Sequence, residues 1–216
     1  MPQSKKQEIN GRSDRRDRSL QDCGYDRQAC KTYRQAASAL EASGETDNVV
    51  LAETYLALMA VHFHRSRHNK DGARNMKKAI AWYDKAIEVY RQRADVRDLS
   101  ANLTNMSALL FQAGQFDRAV EVAKEGLDIA ETLDDPHGHF RLPAWNHYAT
   151  YCRQVGKLDE AEKTLKRGLN IIGKVHASGF LIETLAGVYE ERAQQLRQEA
   201  SQLMVCDASC GSPKSR

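Results

Sequence analysis

The stretch "AGQFDRAVEVAKEGL", Ala113 to Leu127, returns 42 residues later as "VGKLDEAEKTLKRGL", Val155 to Leu169. Each copy reads as a glycine turn followed by an amphipathic helix. In register, Gly114 pairs with Gly156, Asp117 with Asp159, Ala119 with Ala161, Lys124 with Lys166, Gly126 with Gly168 and Leu127 with Leu169. The match reaches upstream, with Leu103 opposite Trp145 and Ser107 opposite Ala149. Self-similarity at a fixed period marks a solenoid, in which each helical pair buries its apolar face on its neighbours.

The residue types at the matched positions suggest mechanical jobs. Ser107 or Ala149 on a first helix can face Ala119 or Ala161 on a second, so that the two backbones approach closely. Gly114 and Gly156 fall where a first helix must stop, and glycine readily takes the left-handed conformation there. Phe116 and Leu158 are expected to plug the helix junction. Gly126 and Gly168 are poor helix formers in mid-helix, which implies a crowded contact with the next repeat.

Two earlier copies are fainter. "MKKAIAWYDKAIEVY" supplies Ala79, Tyr83, Ala86 and Ile87 in register with Ala119, Ala123, Gly126 and Leu127. "GYDRQACKTYRQAA" supplies Gly24, Ala29, Tyr33, Ala36 and Ala37 in the same frame. After the last clear copy, "LIETLAGVYEERAQQLRQEASQL" places Ile182, Leu185, Ala186 and Tyr189 at first-helix spacing and runs on into a long helix.

The order of small residue, glycine turn, aromatic and second-helix alanines resembles the tetratricopeptide repeat, over roughly Gly24 to Leu203. The basic tetratricopeptide unit is about 34 residues, and HEAT and armadillo units are about 40–47, so the period alone would mislead. The longer period, with "LTNMSALLFQAGQFDRAVEVAKEGLDIAETLDDPHGHF", resembles the kinesin-light-chain-like subclass of 42-residue repeats. The resemblance implies an all-α solenoid of antiparallel helix pairs with a long C-terminal capping helix.

Along the chain, residues 1–23 are polar and charged and are expected to be disordered. Residues 24–204 form the helical repeat domain, and residues 205–216 a flexible tail. Gly24 to Ala42 reads as a second helix with no first helix upstream, so it either caps the array or docks on something. The first full pair is expected at Val49–Arg67, capped by Asp47 or Asn48, and Asn75–Arg93. The second pair is expected at Leu99–Ala113 and Phe116–Leu133, and the third at Pro143–Val155 and Leu158–Val175. The last helix is expected at Phe180–Met204.

Composition narrows the function classes. The 216 residues are 41% hydrophobic and 28% charged, with a formal net charge of +3, which gives no global electrostatic case for nucleic acid. The longest apolar run, Leu56 to Val61, is far too short to span a bilayer. The N-terminus offers no apolar stretch for a secretory signal. The five cysteines form no paired framework, and Cys152 falls on an apolar helical face. A cytoplasmic protein is expected.

No nucleophile elbow, phosphate loop, dinucleotide fingerprint or zinc-protease helix is present, and no enzymatic activity or cofactor is expected. His62 and His64 lie two apart on a helix and point to different sides. His137 and His139 lie beside Asp134 and Asp135 in a loop, where solvation is the simpler reading than a metal. A basic cluster, Arg65, Arg67, Lys70, Arg74, Lys77 and Lys78, lacks the interleaved aromatics that base stacking needs.

The resemblance implies that first helices line a concave groove, and it assigns the inward positions. They are His64 and Arg65; Thr104, Asn105 and Gln112; Asn146, His147, Thr150, Arg153 and Gln154; and Glu183, Thr184 and Glu190. Amides and hydroxyls suit an extended peptide, because each amide both donates to and accepts from a backbone. The clamp that chaperone-binding repeats use for a C-terminal carboxylate is not matched, since Ala101 and Pro143 stand where a basic residue is needed. The expected function is a protein-interaction scaffold or adaptor that binds a peptide or helix of a partner protein. The alternative is a structural subunit or assembly factor gripped through its uncovered N-terminal helix.

Overall fold

A computed structural model of the chain describes residues 26–44, 48–68, 71–94, 96–135, 137–172 and 179–210, with only the backbone of 172 and 203–210. The expected disordered segment 1–23, Lys70, the end of the third pair beyond 172 and the tail beyond 210 lie outside the described residues. Every regular element described is a helix. Helix α1 covers residues 26–42, followed by α2 (Val49–His68), α3 (Gly72–Arg91), α4 (Val96–Gln112) and α5 (Phe116–Thr132). Then come α6 (Arg141–Gln154), α7 (Leu158–Ile172) and α8 (Gly179–Cys210).

Consecutive helices pack on one another from α2 to α8, and α6 also touches both α4 and α8. The first helices α4, α6 and α8 therefore stand side by side as one wall, and the second helices stack behind them. Helix α1 lies antiparallel on α2. Asp26 meets His64 at one end, Cys30 meets His62 in the middle, and Glu41 accepts from Tyr55 at the other.

The two quoted stretches end their preceding helices in the same way. Gly114 (φ 74°) and Gly156 (φ 78°) are left-handed. Gln115 N–H bonds Leu110 carbonyl at 3.0 Å, and Lys157 N–H bonds Cys152 carbonyl at 2.8 Å. These are the long bonds that close a helix on a left-handed residue, and a Cβ at either glycine would strain that backbone. Asn48 caps α2, its side-chain oxygen accepting from the N–H groups of Val50 and Leu51.

The core runs continuously through all the pairs. Leu103, Trp145, Ser107, Ala149, Ala119 and Ala161 are all 0% exposed, so both halves of the matched register meet inside. Leu158 plugs its junction, whereas Phe116 stays partly exposed and edges against Phe111, 5.2 Å between ring centres. A Cβ on Gly126 would lie 3.1 Å from Leu103, which is on the first helix of the same repeat. A Cβ on Gly168 would lie 2.9 Å from Trp145 of its own repeat and 3.1 Å from Leu181 of α8. The crowding expected against the next repeat is therefore mainly crowding within the repeat, and only Gly168 touches both.

Glu162 is a tie between α7 and α8. Its carboxylate takes Tyr189 Oη at 3.1 Å, Arg192 Nη1 at 2.6 Å and Lys166 Nζ at 2.6 Å. Arg192 also pairs with Asp159. Cys152 is fully buried as expected, and burial pushes its thiol above the usual range.

Candidate functional site

The groove residues expected from the sequence divide into those that face open space and those that the protein uses itself. Asn105, Gln112, Gln154, Glu183 and Glu190 are exposed, and Thr150 is half-buried. Thr104 is a correction: it is buried, and its hydroxyl donates back to the Ser100 carbonyl at 3.0 Å. A threonine in mid-helix has its own carbonyl four residues back within reach, so it needs no ligand. Arg153 is occupied too. It lies against Gly187, where a Cβ would fall 1.9 Å from its guanidinium, and pairs with Glu191 at 3.3 Å.

His64 and Arg65 do not join the others. His64 reaches Asp26 of α1 at 3.3 Å and stacks near His68, so this end of the expected groove lies under α1. His62, two residues earlier, is fully buried, with Nδ1 3.3 Å from Asn75 Oδ1 and Nε2 near Cys30 and Arg34. Burial is the main influence that holds its pKa below the usual imidazole range.

Asn146 and His147 are brought together at the centre of the wall. His147 Nδ1 lies 3.2 Å from the Thr104 carbonyl of α4. Burial is the main reason its imidazole titrates below the ordinary value. Asn146 Oδ1 accepts from Thr184 of α8 at 2.7 Å, which leaves its amide N–H donors as what it can offer outward.

Beside these two lies a cavity of about 460 Å³ walled by His137, Gly138, His139, Leu142, Pro143, Asn146, His147 and Phe180. Its loop wall is fixed. The Asp135 carboxylate accepts the backbone N–H groups of His139 and Phe140 at 2.9 Å each and of Arg141 at 3.1 Å, which caps the start of α6. Burial would raise the pKa of that carboxylate, but the three N–H donors prevail and lower it. Asp135 thus spends its oxygens on the backbone, which removes it from the metal ligands considered with His137 and His139.

Sequence reasoning missed Phe180, which it used only as the start of a helix. Phe180 is 72% exposed at the rim of the cavity. The available signal was a large aromatic in the first turn of the last helix. In the basic cluster, Arg67 sits over the Phe63 ring, 5.9 Å from its centre.

With the geometry in hand, comparison with known proteins is informative. Residues 72–132, which contain α3, α4 and α5, match the tetratricopeptide repeat family. Solved structures share the chain's fold along most of the length. A Podosopora anserina protein described as a kinesin light chain with nearly identical TPR-like repeats superposes with a TM-score of 0.63 at 16% identity, covering 89% of each chain. A second structure of that description gives 0.62 at 16% identity, covering 90% of this chain and 93% of that one. BtubC (BKLC) from P. vanneervenii gives 0.61 at 20% identity, covering 91% of this chain and 79% of that one. A comparison with curated proteins found no match. The chain therefore shares the fold of these TPR-like repeat structures. Among the described residues, no helix is long and apolar enough to cross a membrane.

Proposed function

We propose that the chain is a non-enzymatic interaction scaffold that holds a peptide or helix of a partner protein along the wall of α4, α6 and α8. The observation that supports this reading is the cavity beside Phe180, which opens among the inward-facing residues of α6. Its walls combine apolar surface from Leu142, Pro143 and Phe180 with convergent polar groups from Asn146 and His147, the mixture typical of a binding pocket. One aromatic or long aliphatic side chain of the partner anchors there, as interface hot spots do. Asn105, Gln112, Gln154 and the Asn146 amide then bond the partner's backbone. Arg153, braced on Glu191, positions α8 and is not the reader of an acidic ligand.

The test starts from linear peptides selected by display against the purified chain. Phe180→Asp should weaken a selected peptide by about ten-fold or more, a typical cost for removing an interface anchor. Circular dichroism should stay unchanged, because Phe180 is mostly exposed. Lys77→Glu with Lys78→Glu should leave that affinity in place. Binding abolished by the lysine pair and untouched by Phe180→Asp would move the site to the basic cluster and overturn the proposal.

A further inference from the structure

Each second helix carries a stripe that its own first helix covers. In α5 the stripe is Ala119, Ala123, Gly126 and Ala130, all buried, and the atoms above Gly126 belong to Leu103 and Thr104 of α4. In α3 it is Ala79, Tyr83, Ala86 and Tyr90, again all buried. Helix α1 carries the same stripe in the same register: Ala29, Tyr33, Ala36 and Leu40. Its other face is seated, since Cys30 and Ala37 are buried against the body of the array. The stripe itself is only partly covered, with Leu40 packed against the core. Tyr33 is 38% exposed where its counterpart Tyr83 is 3% exposed, and Ala29, Ala36 and Leu40 are only half-buried. Among the described residues, no first helix stands over it.

Helix α8 is the converse. The bond from Thr184 to Asn146 repeats, one step on, the contact of His147 with the Thr104 carbonyl. That register puts Ile182, Ala186 and Tyr189 where α6 has Trp145, Ala149 and Cys152. The three residues of α6 are all 0% exposed. In α8, Ile182 is 54% exposed, Ala186 is exposed, and Leu196, 60% exposed, continues the stripe, while Tyr189, 42% exposed, turns to Glu162 and Lys166 of α7. Among the described residues, one end of the array thus shows a second-helix face without its first helix, and the other a first-helix face without its second.

We propose that the two ends complete each other between copies of the chain: α8 of one copy and α1 of the next form a repeat across the interface. The contact continues the repeat-to-repeat packing already present inside the chain, with small residues of α1 receiving Ile182 as Gly126 receives Leu103. Neither stripe carries a charged residue. The two contacting faces differ, so the association is heterologous and propagates head to tail unless the rotation closes a ring. It goes beyond the groove reading and uses none of the residues around that cavity, sharing with it only α8, which bears Phe180.

The experiment uses the full chain and two variants blocked at opposite ends, Tyr33→Asp and Ile182→Asp, followed by sedimentation velocity over a concentration series. A carboxylate forced into an apolar interface is expected to weaken that end about a hundredfold or more. The wild-type chain should gain mass with concentration beyond a dimer. Each variant alone should stay monomeric, because it lacks one of the two faces. An equimolar mixture should form a one-to-one dimer and stop there, since each variant keeps the face that the other lost. Helicity by circular dichroism should match wild type for both. Should either fail to fold, Ala36→Glu and Leu196→Asp serve in their place. Dimerisation of Tyr33→Asp alone would mean α8 pairs with α8 and would overturn the proposal. A wild-type chain that stays monomeric, or a mixture that stays monomeric, would overturn it equally.

Discussion

Replacing Gly168 by alanine sets two effects of similar size against each other. In an unconstrained helix interior the change favours folding by about 1 kcal/mol, because alanine costs less backbone entropy. Here the new Cβ would lie 2.9 and 3.0 Å from Trp145 Cδ2 and Cε3, and 3.1 Å from Leu181 Cδ1. Carbon atoms prefer about 3.5–4.0 Å, so the neighbours must retreat by roughly half an ångström or more. They have little room, since Trp145 and Leu181 are both 0% exposed. The indole is also held by its N–H bond to Glu131 at 2.9 Å. Overpacking of this kind costs about 1–3 kcal/mol. The clash should win, with a net loss of about 1 kcal/mol. Trp145→Phe provides the decisive background, because the smaller ring vacates the space that the methyl needs. There, Gly168→Ala should turn neutral or stabilising, giving a coupling of about 1–3 kcal/mol between the two sites. Urea unfolding followed by far-UV circular dichroism measures all four proteins without relying on tryptophan fluorescence. A stabilising Gly168→Ala in the wild-type chain would refute the reasoning, as would an equal loss in both backgrounds.

Ala161→Leu should cost about 1–3 kcal/mol by forcing α6 and α7 apart, whereas exposed Lys163→Leu should be nearly neutral; equal urea midpoints for the two would mean the register is wrong. Acidification should also destabilise the fold. Burial is the main cause holding His62 and His147 neutral in the folded chain, helped at His62 by the nearby cations Lys78, Arg34 and Arg65 and opposed by the Asn75 bond. In the unfolded chain both take a proton near the ordinary imidazole value of about 6.5. Their contribution is therefore complete above that pH and is lost as pH falls through it, at no more than about 1.4 kcal/mol per pH unit for each histidine. Urea midpoints at pH 7.5 and 5.5 should differ in that direction, and His62→Gln should flatten the slope; stability that rises on acidification would contradict it.

The parts of this fold that could be read from sequence are those where sterics leave one residue type. Only glycine accommodates the left-handed ends at Gly114 and Gly156 without strain, and only a small residue fits where Ala119 or Ala161 meets a facing helix. Such positions therefore recur at a fixed spacing. The polar wall is different in kind. A helical period says which way a side chain points, but not whether something already waits there. Thr104 points inward and satisfies itself on the Ser100 carbonyl, Arg153 lies across Gly187 to reach Glu191, and Glu162 points outward into the grip of Arg192 and Tyr189. In each case the partner comes from the same helix or lies 27 or more residues away in sequence, at a distance that no local spacing encodes. The same logic explains why Phe180 was overlooked while Trp145 was not. Trp145 has a counterpart in Leu103 one period earlier. Phe180 stands on a helix whose register is set by the Thr184–Asn146 contact and departs from the 42-residue period of the two clear copies. The open stripes at the two ends were legible as residue types, but only the burial of their counterparts in α3 and α6 marks them as unusually exposed.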